Sequence, residues 1–367
     1  MNDQYHYIMN HAIRIPLSIL VALFLMQVVS GQKSYSAPKL SHPDSWSIIL
    51  VPDTQTYVKF ERNHGILETM TSWISENIDS LNIKMVLCTG DLVEQNELLV
   101  PDNVNGNLPS RDQWQAVSHA FGRLDGKVPY ILAAGNHDFG YKSIENRRTN
   151  YNQYFPSHRN ILNKKGLRAA GKNLDRLPSL ENAAYEFISP QHRKFLFLNL
   201  EFAPRDTIVH WAEQVLSEER FKDHTAVILT HSYLNAKDLH IVKENYPITD
   251  ANYGKAIWEK LVAPSTNVQL VFSGHIGAAD DFDAHTAFKV DRNKAGKTVN
   301  QVTFNAQAMG GGWHGNGGDG WLRIMEFLPD GKTVIMTTFS PYFALSPSTK
   351  HLAYQRDAHN NFTIKLD

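Results

Sequence analysis

The stretch Tyr130-Ile131-Leu132-Ala133-Ala134-Gly135-Asn136-His137-Asp138 decides how this chain reads. An unbroken apolar run meets a glycine, and Asn, His and Asp follow at once. A short apolar run bounded by a turn signal is the pattern of a strand covered on both faces. In open α/β sheets, ligands bind beyond the carboxyl ends of strands. Asn136, His137 and Asp138 therefore stand where chemistry is expected, although Asp138 also suits a plain helix cap.

The pattern recurs in both directions. Residues 47–51 form an apolar run that ends at Pro52-Asp53, and 84–89 end at Gly90-Asp91. Residues 226–230 end at His231, and 268–273 end at Gly274-His275. Residues 195–198 read as a further strand. Between the runs lie apolar residues at helical spacing: Ile66, Met70, Trp73, Ile74 and Ile78; Trp114, Val117, Phe121 and Leu124; Ile208, Trp211, Ala212, Val215 and Leu216. Alternating strand and helix predicts an α/β architecture with mostly parallel pairing. The stretch around 139–183 is polar and weakly periodic, and reads as an insertion or long loop system beside the site. After His275 the style changes. Residues 299–306 and 321–328 read as strands, and Pro329-Asp330-Gly331 turns the chain into another at 333–339. The C-terminal part is expected to be hairpin-rich.

Composition narrows the chemistry. A net charge of −1 over 367 residues supplies no sequence-wide basic field for nucleic acid. The single cysteine, Cys88, lies in an apolar run and cannot build a disulfide or a thiolate metal site. At the N-terminus Arg14 precedes the apolar run 17–26 and the small residues Val29-Ser30-Gly31, the order of a secretory signal peptide over 1–31. That run falls short of the ~20 residues of a membrane span. No stable span is expected after signal removal, the alternative being an uncleaved anchor. Residues 32–45 read as a linker and 46–367 as a single domain, exported to a periplasmic or extracellular space.

Five strand ends thus carry candidate metal ligands: Asp53, Asp91, Asn136, His231 and His275. One Asp or His at a strand end means little; five in one register are not capping residues. Oxygen and imidazole ligands without thiolate suit divalent Mn, Zn, Fe or Mg rather than Ca. A carboxylate such as Asp91 can bridge two ions. Two ions ~3.5–4 Å apart polarise a phosphoryl oxygen and generate a hydroxide near neutral pH.

The series Asp53-Thr54-Gln55, Gly90-Asp91, Gly135-Asn136-His137-Asp138, Thr230-His231 and Gly274-His275 resembles the calcineurin-like metallophosphoesterase superfamily. The stretch from Gly317 to Arg323, followed by Phe339-Ser340-Pro341, is similar to the C-terminal end of its secreted bacterial type with a Pro-Asp-Thr-Gln first motif. The resemblance implies a double β-sheet sandwich flanked by helices, in four αββα layers, that binds two divalent ions and hydrolyses phosphomonoesters or phosphodiesters. By the same resemblance Asp53 binds the first metal and Asp91 bridges, and Gln55, in the first motif, can offer that metal a carbonyl oxygen. Asn136, His231 and His275 complete the second. His137 is the catalytic residue that faces the phosphoester substrate, with Asp138 supporting it.

Two positions depart from the family's pattern. Gln55 and Gly277 stand where it usually has histidine, and both belong to the first metal. Either that position takes an oxygen-liking ion, or a ligand is recruited from elsewhere, or one ion suffices. His314 in the glycine-rich loop 310–315 is the first candidate recruit, ahead of Gln307 and Asp280. Tyr233, Trp313 and Arg323 are candidate substrate contacts, each with an ordinary packing role as the alternative. The departures also motivate a second reading, a metal- or ligand-binding protein of this fold that has lost turnover. Hydrolysis of a non-phosphate ester is a third.

Overall fold

The structure is a computed structural model that describes residues 35–367. The expected signal peptide lies outside the described residues. The strands, in chain order, are β1 (Trp46–Val51), β2 (Ile83–Cys88), β3 (Tyr130–Leu132), β4 (Leu167–Lys172), β5 (Pro178–Ile188), β6 (Lys194–Asn199), β7 (Thr225–Leu229), β8 (Val268–Ser273), β9 (Thr286–Arg292), β10 (Thr298–Phe304), β11 (Leu322–Phe327), β12 (Thr333–Phe339), β13 (Tyr354–Gln355) and β14 (Asn361–Lys365). Three longer helices accompany them: α1 (His64–Glu76), α2 (Ser110–Gly122) and α3 (Asp206–Ser217).

The strands form two seven-stranded sheets. The first runs β13-β12-β11-β1-β2-β3, with β14 also paired to β12; the second runs β4-β5-β6-β7-β8-β10-β9. Pairing is parallel for β1-β2-β3 and for β6-β7-β8-β10. It is antiparallel toward the margins, where β11 adds to β1, β5 to β6 and β9 to β10. The expectation of mostly parallel pairing therefore holds only for the centre of each sheet. Hairpins supply the margins, as expected for the C-terminal part.

Both central regions are apolar because both of their faces are covered. Every residue of β1, β7 and β8 is buried. Between the sheets Trp46 stacks on Phe327 at 4.1 Å and meets Phe195 of the second sheet at 5.8 Å. On the outer face of the first sheet Trp73 of α1 meets Phe339, and Phe121 of α2 meets Tyr130. On that of the second, Ile208, Ala212 and Val215 of α3 pack with Ile257 and Leu261 into the cluster of Leu196, Ile228 and Val271. The result is the four-layer sandwich, two mixed sheets with helices outside each.

The stretch 139–183 departs from its reading. It holds two short helices, then β4 and the start of β5, which pairs along β6 and extends the second sheet. Its polarity concealed this. Glu181 and Asn182 are buried within β5, but Ser179, Asn152 and Glu201 satisfy their side chains. A satisfied polar residue can sit in a strand interior, and sequence periodicity does not register it.

Candidate metal centre

The parallel strands of both sheets end at one edge, and the loops that follow converge there. Asp53 follows β1, Asp91 follows β2, Asn136 follows β3, His231 follows β7 and His275 follows β8. Their side chains meet across the gap between the sheets. The backbone N–H of His275 donates to Asp53 Oδ2 at 2.9 Å, and His231 Nδ1 donates to the Thr89 carbonyl at 2.9 Å. The turns need their glycines. A Cβ on Gly135 would lie 2.1 Å from Asp91 Oδ1, and one on Gly274 would lie 2.2 Å from Asp53 Oδ1.

One position is rich in nitrogen. Ligand atoms of Asp91, His231 and His275 all lie within 4.8 Å of one another. A carbonyl only accepts hydrogen bonds, so the His231 bond to Thr89 places its proton on Nδ1 and leaves Nε2 as a lone pair. Glu244 accepts from His275 Nε2 at 2.5 Å, which leaves the lone pair on Nδ1. These two lone-pair nitrogens face each other at 3.1 Å, and His231 Nε2 lies 3.1 Å from Asp91 Oδ2. Asn136 turns its amide nitrogen to Ser143, so its Oδ1 is buried with no partner. With the proton off His231 Nε2, three lone pairs and an orphaned oxygen converge, a set that fits a divalent cation. Among the described residues the set is Asp91, Asn136, His231 and His275, the four read from the sequence.

Electrostatics agree. Burial opposes a charge on His231, but the carboxylates of Asp91 and Asp53 overcome it and lift its pKa to about 10. Burial also raises Asp91, and the imidazoles of His231 and His137 outweigh it, holding that carboxyl well below its ordinary range. The carboxylate at the centre is therefore an anion among imidazoles.

The neighbouring position is rich in oxygen. Asp53 Oδ1 accepts from the Thr89 hydroxyl at 2.7 Å, and Oδ2 accepts from Asn305 Nδ2 at 2.7 Å. Burial raises the Asp53 pKa to about 6. Gln55 opens a one-turn helix, Gln55–Val58, and its Oε1 is buried with no partner. At Gly277 no imidazole is present, and the neighbouring ring of His285 stands in the way of one: a Cβ there would lie 2.5 Å from His285 Nε2. His285 itself is fully buried.

His137 sits in the single turn Asn136–Asp138, its N–H donating to Asp91 Oδ1 at 3.0 Å. Its Nδ1 donates to the Glu94 carbonyl at 2.6 Å, and Nε2 has no partner among the described residues. The ring is half-buried, and burial lowers its pKa less than the charges of Asp91 and Glu94 raise it. Asp138 is corrected as a catalytic candidate. It is fully buried, and its two oxygens accept the N–H groups of Val93 and Gly135, so it caps the turn and braces the loop after β2.

Three further expectations change. Tyr233 does not face a cleft: it is fully buried in the core behind the second sheet, its hydroxyl on Gln301 Oε1. Arg323 is also buried. It lies over Phe304 of the opposite sheet and donates to Thr338, the His359 carbonyl and Asn360, so no phosphate reaches it. His314 is exposed and does not join the metal-ligand cluster. Its carbonyl accepts from Arg62, and its ring lies 6.3 Å from Phe60. Trp313 beside it is half-exposed on the same loop, which the N–H of Gly311 ties to Asp280.

Sequence reading missed three residues. Asn305 follows β10 as the candidate ligands follow their strands, but a strand read through to Ala306 hid it. Glu244 and Ser143 lie in loops with no local signal, and they hold His275 and Asn136 only through the fold.

Comparison with known proteins follows the same lines. The family model described as calcineurin-like phosphoesterase matches residues 47–278. An uncharacterised protein of Bacillus subtilis (strain 168), YvnB, is 29% identical over 333 residues, which are 88% of this chain and 22% of that relative. This chain thus spans about a fifth of the relative's length. Among solved structures, GAP50, "the anchor in the inner membrane complex of Plasmodium", is 10% identical, with a TM-score of 0.47 over 88% of this chain and 89% of its own. PhoD is 12% identical, with a TM-score of 0.45 over 91% of this chain and 72% of its own. With the family model spanning most of both central sheets and all five strand ends that carry the candidate ligands, this chain belongs to the calcineurin-like phosphoesterase family.

Proposed function

We propose that the chain is a divalent-metal-dependent hydrolase of phosphate monoesters or diesters. The observation that carries this reading is the pair of lone-pair nitrogens of His231 and His275, 3.1 Å apart beside Asp91. Bound divalent ions supply Lewis-acid polarisation of the phosphoryl oxygens and acidify the attacking water. Asp91, Asn136, His231 and His275 would hold one ion, and Asp53 with Gln55 would hold its neighbour. Glu244 and Thr89 fix the imidazole tautomers. His137, free at Nε2, is placed to protonate the leaving oxygen or to stabilise the charge that develops on it. Trp313 and His314 are exposed and available to an organic substituent.

The test is turnover. Purified protein should release nitrophenol from p-nitrophenyl phosphate or its bis-ester with added Mn or Zn, and chelator should abolish the release. Gly277, with His285 beside it, favours a second reading in which ions bind without turnover. Tight ion binding with no release from either ester, under any divalent ion, would establish that reading and reject the first.

A further inference from the structure

We propose that the position beside Asp53 is an all-oxygen cation site completed by the side-chain amide of Gln307. The centre then pairs a hard ion, Mg or Mn, with the imidazole-held one. The inference rests on the phosphoesterase reading above and names the asymmetry within that site.

The imidazole nitrogen beside Asp53, His231 Nδ1 at 3.8 Å from Oδ1, is spent on the Thr89 carbonyl. Gly277 has no side chain, and His285 stands against its Cα with both ring nitrogens engaged. Its Nδ1 donates to the Asp281 carbonyl at 2.7 Å, and its Nε2 accepts from the N–H of Ala308 at 3.3 Å. That ring is a strut between two loops, and it has no lone pair to offer.

Oxygen is available instead. Gln55 Oε1 and Gln307 Oε1 are both buried amide oxygens with no hydrogen-bond partner. A buried carbonyl left unpaired is costly, so each of these two oxygens calls for a partner. Gln307 is placed for this role by its strand. β10 runs parallel to β8, with Thr303 opposite Ser273, so residues 305–307 emerge beside Gly274 and His275. Asn305 there donates its amide to Asp53 Oδ2 and to the carbonyl of Ile276. The Gln307 backbone N–H is anchored on Asn305 Oδ1 at 3.2 Å. Carboxylate and amide oxygens are hard donors that suit Mg and Mn, whereas imidazoles suit Zn and Fe.

The test counts ions. Metal-stripped protein is titrated with Zn alone, with Mn alone and with both, and bound metal is measured by mass spectrometry and by the Mn paramagnetic resonance signal. Expected are one tight Zn per chain, and one Mn bound in addition to it. Gln307→Leu should weaken the Mn site at least about tenfold while Zn binding stays unchanged. Should that variant fold poorly by circular dichroism, Gln307→Glu replaces it and should tighten Mn. Two Zn bound with equal affinity in the parent would overturn the inference, as would Mn affinity indifferent to either substitution. If no ion binds at all, the phosphoesterase reading itself falls, so the two failures are distinguishable.

Discussion

At the scale of single residues, the centre is a contest between a proton and a metal for one lone pair. In the metal-free fold the His231 pKa is raised to about 10, against an ordinary value of about 6.5. A raised pKa contributes stability in full below the unfolded value and loses it as pH climbs through the folded one. Metal-free protein should therefore lose stability between about pH 6.5 and 10, and calorimetric metal affinity should rise over the same window as the proton leaves more easily. An affinity that falls or stays flat there would show that His231 Nε2 does not ligate. The partner that orients His275 is also testable. Glu244→Gln keeps the shape but weakens the hold on Nε2–H, and should cost about 10–100-fold in metal affinity. His137→Ala should separate the two functions, keeping bound metal while kcat drops about 10²–10⁴-fold. Metal lost together with rate would place His137 among the ligands.

At the scale of elements, the active unit is the turn that ends a parallel strand. Each turn delivers a ligand within four residues of its strand, so small changes in the turn move the ligand directly. Gly135 is the sharpest case, because a Cβ would meet the backbone nitrogen of Asp91 at 2.5 Å as well as its carboxylate. Neither group can swing aside without breaking the bond from the His137 N–H. Gly135→Ala should destabilise the fold by about 1–3 kcal/mol and lower metal content; a variant with parental melting and metal content would show that the turn yields. The loop after β10 belongs to the same pattern, since Asn305 reaches Asp53 across 252 residues of chain.

At the scale of the whole molecule, the centre joins two sheets. Asp53, Asp91 and Asn136 come from the first, and His231 and His275 from the second. A cation held by both binds only when the sandwich is closed, so it is linked to global folding. With free ion at a hundred times Kd the linkage is worth about 2.7 kcal/mol. Chelation should therefore lower the melting temperature by several degrees; melting indifferent to chelator would rule out ligation from both sheets. Arg323 adds a permanent tie at another point of the same interface, a buried guanidinium between Phe304 of the second sheet and Phe362 of the first. Burial pulls its pKa down to about 9.

The sequence by itself determined the central strands, the three apolar helix faces and the five candidate ligands at strand ends. Each of these is a local pattern, an unbroken apolar run followed by a turn and a polar side chain, and local patterns survive in one dimension. Only the tertiary structure decided what lies between distant segments. Tyr233 and Arg323 read equally well as substrate contacts until packing buried them. The strand β5 was hidden because its polar residues find partners in other loops. Glu244 and Asn305 orient candidate ligands from 31 and 252 residues away, and Ser143 does so from the loop seven residues past Asn136. The ring of His285 takes up the space next to Gly277, which no spacing reveals. Hydrogen-bond partnership and filled volume are properties of pairs brought together by folding, and that is why the candidate ligands and the two missing imidazoles were legible while the groups that orient and surround them were not.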